Sequence, residues 1–144
     1  MTIEEAQQEI IDEFEFLTDW MDKYEMIIQM GKEIPMIAEQ YRVPDNLIKG
    51  CQSQVWLHPE YKNGLLYFTA DSDALITKGL VTLIIKVLSG HTPKEIAESN
   101  LHFIDDIGLK SHLSPTRSNG LLSMVKQIKN YAIAFYTLEK EGHA

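Results

Sequence analysis

Ile3, Ala6, Ile10, Ile11, Phe14 and Leu17 recur at helical spacing, so the chain opens with an amphipathic helix. Thr2 and Glu5 ahead of it make a capping-box pattern, in which a hydroxyl and a carboxylate each satisfy an exposed backbone amide. A second helix is predicted from Thr18 or Asp19 to Gly31, with Trp20, Tyr24, Ile27 and Ile28 on its packed face. The periodicity then fails between Ile34 and Lys49. Pro35 and Pro44 interrupt it, Pro44-Asp45-Asn46 is turn chemistry, and Leu47-Ile48 reads as a short strand entering a bend at Gly50-Cys51. Val55 to Ala70 reads as a hairpin, one strand through Val55–Leu57 and one through Leu65–Phe68. Asn63-Gly64 turns it, since both residues tolerate positive φ.

Ser72-Asp73 is expected to cap the next helix. Residues 74–88 are apolar nearly all round, which predicts a helix buried against the sheet and ended by Gly90. Gly79 within it costs ~1 kcal/mol relative to alanine, which suggests a close approach to a neighbour. Thr92-Pro93-Lys94-Glu95 is a second capping box, with proline at the first helical position. A short helical turn follows from Leu101 to Ile107. The last helix starts near Ser114-Pro115 or Ser118 and carries the stripe Leu121, Val125, Ile128, Ala132 and Phe135. Helices, a small antiparallel sheet of about three strands, then helices again make an α+β class. With no repeat or linker, residues 1–144 read as one domain.

Charge narrows the partners. The net charge of −8 argues against nucleic acid, whose backbone repels an acidic surface. Glu4, Glu5, Glu9, Asp12, Glu13, Glu15, Asp19, Asp22 and Glu25 crowd the first two helices against Lys23 alone, a solvated face before it is a docking surface. No apolar run is long enough to span a bilayer. The start lacks the basic-then-apolar order of a secretory signal, so the expected location is the cytosol, where a thiol stays reduced.

Candidate chemistry converges on one atom. Cys51 is the single cysteine, so it forms no internal disulfide and supplies one thiolate at most to a metal or cluster. His58, His91, His102, His112 and His143 show no metal-binding spacing, and there is no Gly-rich phosphate loop. Cys51 stands in the polar, flexible run Gly50-Cys51-Gln52-Ser53-Gln54-Val55-Trp56, at a loop-to-strand junction. Spacing alone leaves two roles open for it, a reactive thiol or a small buried hydrophobe. A cysteine hydrolase would need His58 or His112 as its base.

That run resembles the signature of the SufE family of sulfur-acceptor proteins. Ser72-Asp73-Ala74-Leu75-Ile76-Thr77-Lys78-Gly79-Leu80 resembles the family's second block, and Leu113-Ser114-Pro115-Thr116-Arg117-Ser118-Asn119-Gly120-Leu121 its third, with Thr116 where serine is more usual. The resemblance covers nearly the whole chain and implies a fold like that of SufE and the IscU-type scaffolds. It implies that Cys51 accepts persulfide sulfur from a SufS-type cysteine desulfurase, stimulates that enzyme, and passes the sulfur toward iron–sulfur cluster assembly, with a SufBCD-type scaffold as a candidate recipient. Pyridoxal phosphate is then expected on the partner and no cofactor on this chain. Arg117 becomes a candidate for supporting the loop or the persulfide, beside a plain ion-pairing role. Gly50, Gln52, Ser53 and Gln54 become candidate partner contacts, as does Asp73, which reads equally as a helix cap. An activator that works by binding alone, with Cys51 incidental, is the alternative.

Overall fold

The computed structural model describes residues 1–34 and 37–142. Pro35, expected to interrupt the chain, and His143 fall outside the described residues. Helix α1 (Ile3–Glu15) begins with the capping box: the Thr2 hydroxyl accepts from the Glu5 amide and the Glu5 carboxylate from the Thr2 amide. Ala6, Ile10 and Phe14 form its buried face. Helix α2 (Trp20–Gly31) is capped by the Asp19 carboxylate, which accepts from the Met21 amide. The expected turn at Pro44 is a 3-10 turn over Pro44–Asn46, and another covers Glu39–Tyr41.

Strands β1 (Val55–Lys62) and β2 (Leu65–Ser72) pair antiparallel, with Val55 opposite Ser72 and Lys62 opposite Leu65. Asn63 at φ 53° and Gly64 at φ 80° give the two positive-φ positions of a type I′ hairpin turn. Val55 and Leu57 on β1, and Leu66, Phe68 and Ala70 on β2, are buried on the side chains' alternating face. The sheet has two strands rather than about three. The expected strand at Leu47-Ile48 is one bridge, Leu47 to Trp56, with the Ile48 amide donating to the Val55 carbonyl at 2.8 Å. The Pro44 turn ends just before this pair and Gly50 bends the chain just after it, which leaves no length for a ladder.

Helix α3 (Leu75–Leu88) is the axis of the core, with Leu80, Val81, Leu83, Ile84, Val87 and Leu88 all buried. It packs against α1, α2 and β2. Gly79 makes the α2 crossing possible: a Cβ there would collide with the Ile27 backbone, 2.7 Å from its carbonyl carbon. Ser72-Asp73 does not cap α3 as expected. The N-cap is Ala74, which has no capping side chain; Ser72 accepts from the Ala74 amide, and Asp73 turns elsewhere. Helices α4 (Pro93–Glu98), α5 (Phe103–Asp106) and α6 (Leu109–His112) wind round to α7 (Pro115–Lys140). The Ser114 hydroxyl caps α7 by accepting from the Arg117 amide. Leu121, Met124, Ile128 and Ala132 bury the α7 face, while Tyr131 and Phe135 pack on Phe68 and Tyr61 of the sheet.

Candidate functional site

The hydrogen bond from Ile48 to Val55 closes a loop of residues 49–54 that carries Cys51. Three neighbours hold it. At its base Asp73 accepts from the Gln54 amide at 3.0 Å and donates its own amide to the Gln54 carbonyl at 3.3 Å. Beneath it lies α7. Gly50 takes φ 91° and passes so close to Ser123 that an added Cβ would stand 2.5 Å from the hydroxyl. Side chains rarely adopt that φ, so both backbone and space call for glycine here. The Cys51 thiol donates to the Gly120 carbonyl, 3.5 Å away.

Cys51 is half-buried, and desolvation pushes its thiol above the ordinary value. It opens on a pocket of about 80 Å³ lined by the loop (Cys51, Gln52, Ser53), α3 (Thr77, Leu80) and the first turns of α7 (Thr116, Arg117, Gly120, Met124). A water molecule needs roughly 10–15 Å³, so one extra sulfur atom fits.

The structure brings most of the candidate residues together. Gln52, Ser53 and Arg117 share the pocket with Cys51, Gly50 forms the bend, and Gln54 and Asp73 tie down the loop base. Arg117 is exposed at the rim and makes no ion pair among the described residues. Gln52 and Gln54 also face solvent. The histidines lie elsewhere: His58 stacks on Tyr41 at 3.5 Å between ring centres and His112 on Trp20 at 3.8 Å, and neither lines the pocket. A hydrolase built on Cys51 and either imidazole therefore finds no base in place. Among the described residues no group of three or more His, Cys, Asp and Glu side chains gathers to hold a metal, and no helix is long and apolar enough to cross a membrane.

Beyond the candidates, the pocket recruits Thr77, Gly120, Leu80 and Met124. Three of these stand inside the family-like runs, but no spacing rule pairs α3 with α7 across a loop.

Residues 8–132 match the SufE family, described as an Fe-S metabolism associated domain. The chain belongs to the SufE family. It is 44% identical over 129 residues to an uncharacterized SufE-like protein of Rhizobium etli, covering 86% of this chain and 87% of that one. A SufE-like protein of Rhizobium meliloti is 42% identical over 129 residues, with 86% and 92% covered. One from Synechocystis is 37% identical over 133 residues, with 92% and 84% covered. In fold, the solution structure of a hypothetical protein from Thermus thermophilus matches with a TM-score of 0.76 at 17% identity, over 92% of this chain and 96% of that one. Membership ties this SufE-family chain to Fe–S metabolism.

Proposed function

We propose that this SufE-family protein accepts sulfur from a SufS-type cysteine desulfurase onto Cys51, stimulates that enzyme, and hands the sulfur to iron–sulfur cluster assembly, with a SufBCD-type scaffold as recipient. The observation that carries the proposal is the placement of Cys51, a lone thiol on a loop of residues 49–54 with room for one more sulfur behind it.

Transfer is thiol exchange. The Cys51 thiolate attacks the outer sulfur of the donor persulfide, the donor's S–S bond breaks, and the donor cysteine leaves as thiolate. The proton on the outer sulfur travels with it, so charge and electrons balance and no oxidant is consumed. A second thiol nearby would attack the product and discharge it, so one cysteine serves a carrier better than two. Raised by burial, the resting thiol stays protonated until docking moves the loop or brings a base. The exposed Arg117 guanidinium at the pocket rim is placed to pair with an anionic sulfur or a partner carboxylate. The protein works in the cytosol and carries no cofactor of its own, the pyridoxal phosphate being the desulfurase's.

Incubation with a cysteine desulfurase and cysteine should add one sulfur atom to the intact mass, removable by a thiol reductant. Cys51→Ser should lose both the adduct and the stimulation while keeping the wild-type melting temperature. Normal stimulation by Cys51→Ser under limiting reductant would instead establish an activator that works by binding alone.

A further inference from the structure

The wall of the pocket facing Cys51 holds an unpartnered polar group. Thr77 is 7% exposed, yet its hydroxyl makes no hydrogen bond to a described residue. Two threonines deeper inside helices donate to the carbonyl four residues back, Thr82 to Lys78 at 2.8 Å and Thr137 to Ile133 at 2.9 Å, whereas Thr77, in the first turn of α3, has no helical carbonyl four residues behind it. Among the described residues no fully enclosed side-chain oxygen lacks a partner, so the small exposure that Thr77 keeps includes its hydroxyl, and Thr77 is one of the residues that line the pocket.

Thr77 belongs to the first turn of α3. The helix's first intrahelical bond runs from the Lys78 amide to the Ala74 carbonyl, so the Leu75, Ile76 and Thr77 amides precede the ladder. Ala74 has no side chain to cap them, and Asp73, which could, is held by the Gln54 amide. An uncapped helix start attracts an anion through its free N–H groups and its dipole. Arg117 is the one charged side chain among the lining residues, and no carboxylate lines the pocket. Of the charged groups on the packed elements nearby, Asp73 is engaged at the loop base and Lys78 pairs with Asp71.

We propose that Thr77, with the uncapped start of α3, holds the outer sulfur of a Cys51 persulfide as an anion. The inference rests on the carrier role and names the group that receives the cargo. At rest the sulfur of Cys51 sits against the Gly120 carbonyl, a contact that suits a protonated thiol and repels a thiolate. A second sulfur extends the side chain by about 2 Å. The negative charge then lies on the outer atom, away from that carbonyl and within the pocket that Thr77 and Arg117 line. The site favours a neutral thiol when empty and an anion when loaded. Thr77 acts on the sulfur by hydrogen bonding and is a positioning residue.

The persulfide can be made without a desulfurase. Cys51 is first converted to a mixed disulfide with thionitrobenzoate. Hydrosulfide then attacks the Cys51 sulfur, the mixed disulfide breaks, thionitrobenzoate leaves, and Cys51–S–S–H remains after desalting. The pH dependence of its alkylation is measured in wild type, Thr77→Val and Thr77→Ser. Valine is nearly isosteric and keeps the buried packing, which the melting temperature checks. The persulfide of Thr77→Val should ionise about one pH unit higher, a tenfold weaker acid, and serine should restore the wild-type midpoint. Equal midpoints in wild type and Thr77→Val overturn the proposal, as does a shift that serine fails to reverse. Because hydrosulfide loads the protein directly, failure to take sulfur from a desulfurase would count against the carrier role alone.

Discussion

Partial burial raises the Cys51 thiol above its ordinary value, with no cation close enough to offset the lost hydration. Its alkylation by iodoacetamide should therefore rise with pH to a midpoint above the ordinary thiol value of about 8.5. The urea-unfolded chain should react with an unshifted midpoint. Gly50 is the residue on which the loop turns. Gly50→Ala places a side chain at φ 91° and 2.5 Å from the Ser123 hydroxyl. Backbone strain of that kind costs about 1–3 kcal/mol. The variant should lose that much stability in urea, and its Cys51 should alkylate faster as the loop lifts from α7.

At the scale of elements, the site exists because α3 sits where it does, and two features hold α3. The first is the crossing with α2 at Gly79. A methyl there meets the Ile27 backbone, which cannot step aside as a side-chain tip would. Gly79→Ala should destabilise by about 3 kcal/mol, the upper part of the range for overpacking, read as a lower urea midpoint. The second is Asp71, buried on β2 between Arg42 and Lys78, with Arg42 lying over the Trp56 ring. Burial raises its carboxyl, but the Ser72 amide, Lys78 and Arg42 outweigh burial and hold it below the ordinary carboxylate range. A depressed folded value means that the ion pairs stabilise fully above the unfolded carboxyl pKa of about 3.9. That stability is lost as pH falls through the folded value. Asp71→Asn leaves two cations with an uncharged partner and should cost about 2–3 kcal/mol at neutral pH. Its stability should also fall less steeply than wild type in acid.

Across the whole molecule, the N-terminal helix is clamped to the C-terminal half by His102, whose ring meets Glu4 on α1 at 2.7 Å and Asp106 on α5 at 2.5 Å. Asp106 and then Glu4 raise its pKa. A raised histidine stabilises fully below its unfolded value of about 6.5 and less as pH climbs through the folded one. The melting temperature should fall across that interval, and His102→Gln should flatten the fall. Much of this architecture was already written in the chain. Helix positions follow from apolar spacing and from the Thr2–Glu5 and Thr92–Glu95 boxes, and the hairpin from Asn63-Gly64, because these signals act over a few residues. Cys51 stood out because a lone thiol in a polar run has few roles. Tertiary structure decided the rest. Pro44 and Gly50 leave no length for a third strand, and Asp73 abandons the α3 start to tie down the loop at Gln54. Thr77, Gly120 and Met124 meet Cys51 only when α3 and α7 pack beneath the loop. Sequence determined the elements and singled out the lone thiol, since both are read from neighbours along the chain. The pocket around that atom depends on residues brought together from three distant segments, and only packing sets those distances.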